Sequence, residues 1–234
     1  MKALIFDCDG VLVDTERDGH RVAFNQAFAE AGLGIAWDVP LYGQLLKVAG
    51  GKERIRHYFD TTGWPKGQDP ETLVPTLHKR KTAIFTDLIA SGKLPLRAGI
   101  TRIVDAAHGA GIRLGVCTTS DPKSVDGVLD LMGAERKGRF EIVLAGDVVS
   151  KKKPDPEIYV LAKQRLDLDG RDCVVIEDSR NGLLAAVGAG MPCLITTSTY
   201  TTGEDFREAA RVVPELGDPP NVLVTVEDLQ AIAN

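Results

Sequence analysis

Asp7 and Asp9 stand two residues apart, directly after the apolar run Ala3-Leu4-Ile5-Phe6. Four apolar residues in succession predict a strand buried on both faces, as in a parallel sheet. If the chain stays extended past Phe6, side chains at i and i+2 point the same way. Gly10 then permits a sharp turn. Two carboxylates on one side of a strand end repel unless a cation or a proton joins them. An Asp-x-Asp turn is by itself an ordinary way to end a strand, and it is the rest of the chain that gives this one weight. Thr118-Thr119-Ser120 follow a second apolar run, Lys153 comes after a third, and Glu177-Asp178 close a fourth.

Those groups need a frame. Strand-like runs at 112–117, 141–145, 173–176 and 193–195 alternate with helical patterns, which predicts an α/β fold with a doubly wound, mainly parallel, Rossmann-like sheet. In such sheets ligands bind beyond the carboxyl ends of the strands. A carboxylate set there offers hard oxygens suited to Mg²⁺. Thr118 as hydrogen-bond donor and Lys153 as charge suit a phosphoryl group. Asp7 then becomes a candidate nucleophile, and Asp9 a candidate acid toward a leaving alcohol and base toward water. Lys153 would neutralise charge on the transferring oxygens.

Residues 17–90 read as helix after helix with no strand, which predicts an all-helical cap domain inserted into an α/β core of residues 1–16 and 91–234, with linkers at Asp14–Glu16 and Ser91–Leu96. Gly50-Gly51-Lys52-Glu53-Arg54 could form an anion site, with backbone N–H groups, the helix dipole and two cations converging. A solvated helix start with an internal Lys–Glu pair is the plainer alternative. In His78-Lys79-Arg80-Lys81, helical spacing prevents all three cations from facing one side, and Lys81 is the candidate.

Composition narrows the classes. The formal net charge is −5, and no basic run exceeds Lys151-Lys152-Lys153, which argues against a nucleic-acid partner. No apolar stretch is long enough to span a membrane. A strand beginning at Lys2 or Ala3 leaves no room for a leader, so a cytoplasmic protein is expected, or a plastid-stroma one if a transit peptide has been removed. Cys8, Cys117, Cys173 and Cys193 form no Cys-x-x-Cys pair and read as small buried hydrophobes in a reducing compartment. The acidic, unexceptional surface points to a monomer.

Asp7-Cys8-Asp9-Gly10-Val11-Leu12, Thr118, Lys153-Pro154 and Glu177-Asp178 resemble the four motifs of the haloacid dehalogenase superfamily. The helical insertion is similar to that of the branch containing β-phosphoglucomutase and many small phosphatases. Closer still, the chain resembles the CbbY type of sugar-bisphosphate phosphatases acting on xylulose 1,5-bisphosphate. That likeness rests on the segments 14–21, 50–54, 146–156 and Asp218-Pro219-Pro220. The resemblance implies a Mg²⁺-dependent phosphatase working through an aspartyl-phosphate, with a small sugar phosphate as partner. It implies Asp7 as nucleophile, Asp9 as acid/base, and metal ligation by Asp7, the Asp9 carbonyl and Asp178, with Glu177 near. Thr118 and Lys153 match the phosphoryl-binding pair, with Thr119 and Ser120 beside them. From the cap, Glu16, Tyr42, Gly51, Lys52, Arg54, His78 and Lys81 are candidates for the sugar and its distal phosphate. Gly19 stands where β-phosphoglucomutase carries a histidine, and His20 comes one later, which departs from the mutase pattern. A phosphosugar mutase and a non-catalytic phosphosugar-binding protein are the alternative readings.

Overall fold

The computed structural model describes residues 1–92 and 94–233. Lys93, inside the expected second linker, and Asn234, the end of the expected core segment, lie outside the described residues. The chain begins with β1 (Ala3–Phe6), a π-helical turn (Glu16–His20), α1 (Arg21–Glu30), α2 (Val39–Leu45), α3 (Gly51–Thr62) and α4 (Pro70–Ala90). It continues with α5 (Ile100–Gly109), β2 (Arg113–Cys117), α6 (Pro122–Asp130), α7 (Ala134–Lys137), β3 (Phe140–Leu144), α8 (Glu157–Leu166) and a 3₁₀ turn (Gly170–Asp172). It ends with β4 (Cys173–Glu177), α9 (Arg180–Gly188), β5 (Cys193–Thr196), β6 (Arg211–Val213) and α10 (Val226–Ile232).

The six strands form one sheet in the order β3-β2-β1-β4-β5-β6, every pairing parallel. The chain builds outward from β1 to one edge, then returns to build outward to the other. The order therefore reverses at β1, and a crevice opens beyond the carboxyl ends there. β1 and β4 are buried along their whole length, as their unbroken apolar runs require. Their register sets Phe6 beside Ile176, so Asp7 and Glu177 leave adjacent strands at one level. The sequence reading missed β6, a three-residue edge strand too short to show a period.

The chain divides into two compact units, Met1–Asp14 with Pro95–Asn234, and Thr15–Leu94. The expected divisions were at 16/17 and 90/91. Glu16 already opens the π-helical turn, while α4 ends at Ala90 and the segment after it stays with the helices. Within the helical unit Phe24, Phe28, Trp37 and Tyr42 are buried and stack on one another, with Phe24 and Phe28 each 4.8 Å from Trp37 between centroids. α4 begins at Pro70, because the Asp69 side chain caps it and Pro70 takes its first turn.

Candidate active site

Asp7 follows β1, and its N–H donates to the Ile176 carbonyl at 2.9 Å, tying it to β4. Gly10 turns the chain with φ of 85°, and a methyl group there would fall on the Asp178 carboxylate. The site thus needs glycine at 10 for both the turn and the close approach. Oxygens of Asp7, Glu177 and Asp178 lie within 4.8 Å of one another, and all three residues are buried. The Lys153 ammonium donates to Asp7 Oδ1 at 2.6 Å, to Glu177 Oε1 at 2.5 Å and to the Cys117 carbonyl at 2.9 Å.

The same crevice holds the second strand's group. The Thr118 N–H donates to the Leu144 carbonyl at 2.9 Å, and Thr118 is buried. Its Oγ1 accepts from the Ser120 N–H at 3.2 Å. The Ser120 hydroxyl in turn donates to Asp9 Oδ2, so the loops after β1 and β2 are joined. Thr119 is half-buried beside them. The structure brings Asp7, Asp9, Thr118, Ser120, Lys153, Glu177 and Asp178 together by way of these contacts.

The Lys153 ammonium is shared by two buried carboxylates, Asp7 and Glu177, with Asp178 close by. Burial is the largest influence on Asp7 and pushes its carboxyl up to about 8; Lys153 pulls the other way, and Glu177 and Asp9 add to the rise. For Lys153, burial works against the charge, but Asp7 and Glu177 outweigh it and keep the ammonium protonated. Cys8, between the two aspartates, is buried, and desolvation with its acidic neighbours holds the thiol well above its usual range. It is a packing residue here, not a nucleophile. The donor set fits a divalent cation. Hard carboxylate oxygens suit Mg²⁺, and Asp7, Glu177 and Asp178 are placed to hold such a cation.

Two contacts were not foreseen from sequence. The Tyr159 hydroxyl, on α8, donates to Glu177 Oε1 at 2.5 Å. The Ser198 hydroxyl donates to Asp178 Oδ2 at 2.6 Å, and Ser198 is held by Thr201. Neither residue lies in a motif with its partner, so only the fold reveals the pairing.

In the helical unit the candidates fall into groups. Tyr42 donates to Glu16 Oε2 at 2.5 Å, and Arg54 Nη1 donates to the Tyr42 hydroxyl at 3.0 Å. Arg54 is buried and also donates to the carbonyls of Leu45 at 3.2 Å and Val48 at 3.3 Å, so part of its guanidinium closes the end of α2. Lys81 is buried, 2.8 Å from His20 Nδ1, with its ammonium 4.8 Å from the centroid of Phe24. A methyl group on Gly51 would meet the His78 ring at 2.8 Å and Phe24 at 3.5 Å. Phe24, which no sequence motif singled out, therefore joins Gly51, Lys81 and Tyr42, whose ring centroid is 6.1 Å from its own. The expected convergence of Lys52 with Arg54 does not occur. Residues two apart on a helix lie on different faces. Arg54 turns inward, whereas Lys52 is exposed and lines a groove of about 400 Å³ with Arg56, His57 and Asp60. Of the run at 79–81, Lys81 alone is buried; Lys79 and Arg80 are exposed, and Arg80 pairs with Glu30.

A parallel doubly wound sheet with paired acids at the mouths of β1 and β4, and a lysine between them, defines a hydrolase class. The chain belongs to the haloacid dehalogenase-like hydrolases, whose family profile matches residues 1–190. Among its relatives, a CBBY-like protein of Arabidopsis thaliana is 50% identical over 224 residues, covering 93% of this chain and 70% of that one. The plasmid-borne protein CbbY of Cupriavidus necator is 44% identical over 222 residues, covering 94% of this chain and 87% of that one. Among solved structures, CbbY from Rhodobacter sphaeroides, an Asp-to-Asn mutant in complex with xylulose-(1,5)bisphosphate, is 37% identical with a TM-score of 0.89, covering 98% of this chain and 99% of that one.

Proposed function

We propose that the chain is a Mg²⁺-dependent phosphatase of sugar bisphosphates, with xylulose 1,5-bisphosphate as substrate, acting through an aspartyl-phosphate on Asp7. The observation that carries this reading is the trio Asp7, Glu177 and Asp178 around the Lys153 ammonium, with Thr118 and Asp9 beside it. The likeness to a CbbY that binds this bisphosphate supports the choice of sugar. Asp7, Asp178 and the Asp9 carbonyl, with Glu177 near, would hold Mg²⁺, which would supply positive charge for phosphoryl oxygens.

Asp7 attacks phosphorus with a carboxylate oxygen while the bond from phosphorus to the sugar oxygen breaks. Asp9 gives its proton to the departing sugar oxygen. Lys153 and Thr118 hold the transferring oxygens. Asp9, now ionised, takes a proton from water, whose oxygen attacks phosphorus and releases orthophosphate and the free Asp7 carboxylate. The hydroxyl of Ser120 orients Asp9 for both steps. In the helical unit, Glu16, Tyr42, Gly51, Arg54, His78 and Lys81 serve the sugar and its distal phosphate, with Lys81 and Arg54 as the cations.

The test is turnover of xylulose 1,5-bisphosphate with and without Mg²⁺. Release of orthophosphate that chelation abolishes is the expected result. An isomeric sugar bisphosphate with no free phosphate would replace the reading with a mutase. No turnover of any sugar phosphate would leave a binding protein.

A further inference from the structure

Tyr159 is fully buried on the first turn of α8, six residues after Lys153. Its hydroxyl donates to Glu177 Oε1 at 2.5 Å, the oxygen that also accepts from Lys153 at 2.5 Å. Its ring lies under the same ammonium, with Lys153 Nζ 5.0 Å from the centroid. The other carboxylate oxygen, Oε2, accepts from the backbone N–H of Asp178 at 3.2 Å. One side chain therefore touches both members of the Lys153–Glu177 pair, and through Glu177 it reaches the peptide that carries Asp178. Burial raises the phenol well above its ordinary range, so it stays protonated and remains a donor.

We infer that Tyr159 is a positioning residue for the metal site, acting through Glu177. Two donors on Oε1 and one on Oε2 fix the rotation of the Glu177 carboxylate. That fixes where Asp178 presents its own oxygens and where Lys153 rests between Glu177 and Asp7. The hydroxyl also shares the Glu177 charge, so Lys153 remains available to Asp7. Without it, Oε1 keeps only Lys153, and both carboxylate and ammonium gain freedom to turn. Such outer partners of metal ligands shift metal affinity about 10–100-fold when removed. The inference rests on the proposed Mg²⁺ site.

Tyr159→Phe tests it, because the ring stays under Lys153 and fills the same volume while the hydroxyl alone is lost. Mg²⁺ is titrated calorimetrically into wild-type and variant chains, and melting is followed with and without saturating Mg²⁺. The expected result is Mg²⁺ binding weakened about tenfold and a smaller Mg²⁺-induced rise in melting temperature. A purely structural hydroxyl would lower both melting curves equally and leave the rise unchanged; that result, or Mg²⁺ affinity within twofold of wild type, overturns the inference. Should the Phe variant not fold, Glu177→Gln is titrated instead; it keeps the size of the side chain but removes the charge through which Tyr159 acts, and unchanged Mg²⁺ affinity there overturns the inference equally. Failure of the wild type itself to bind Mg²⁺ would overturn the metal reading, a separate outcome.

Discussion

On the proposed reading, in which Asp7 is the nucleophile, two demands on it conflict. A nucleophile must be ionised, yet burial among acids raises its carboxyl to about 8. In the unfolded chain an aspartate titrates near 3.9. The folded group thus holds a proton that the unfolded one has released between those values. Its contribution favours the folded state below about pH 4 and is lost as pH rises toward 8. The metal-free protein should therefore lose stability across that interval, and Mg²⁺ should restore it most at the alkaline end. Asp7→Asn should flatten this slope and cut turnover at least about a thousandfold with the fold intact. Melting curves from pH 5 to 9, with and without Mg²⁺, check the first outcome, and phosphate release checks the second. A slope unchanged in the Asn variant would place the titration elsewhere.

At the scale of elements, the turn after β1 is held by Arg97, which precedes α5 in the same compact unit. Arg97 donates to the carbonyls of Gly10, Thr196 and Thr197 and, at 2.6 Å, to that of Pro214. It binds the loops after β1, β5 and β6 into one rim. Hydrogen bonds to a charged group are worth about 1.5–3 kcal/mol each. Arg97→Met should therefore cost about 3 kcal/mol or more in chemical denaturation and weaken Mg²⁺ binding as the Gly10 turn loosens. Loss of neither would mean that β1 and β4 hold the loop unaided. This rim also marks where reading the chain succeeds and fails. β1 and the motifs behind β2, β3 and β4 were legible because buried parallel strands are unbroken apolar runs and their polar ends stand out against them. Tyr159, Ser198 and Arg97 were not legible, since each meets its partner through tertiary packing across tens of residues. Lys52 and Arg54 were misread as convergent because neighbours in sequence are not neighbours on a helix.

For the molecule as a whole, the parallel order with its reversal at β1 does the assembling. It sets the mouths of β2, β1 and β4 side by side, and so gathers groups spread from residue 7 to residue 178. The helical unit is a separate compact body with its own aromatic core around Trp37 and Phe24. Among the described residues no helix is long and apolar enough to cross a membrane. With a net charge of −5, the chain has no general attraction for a polyanionic substrate. On the proposed reading, attraction for the substrate comes from local cations and from a metal held where Asp7, Glu177 and Asp178 meet.

The most direct measurement is calorimetric titration of Mg²⁺ into the wild-type chain and into Asp178→Asn. One ion bound per chain, with affinity falling at least about tenfold in the variant, is the result this account requires. A wild type that takes up no Mg²⁺, or a variant that binds it equally well, would contradict it.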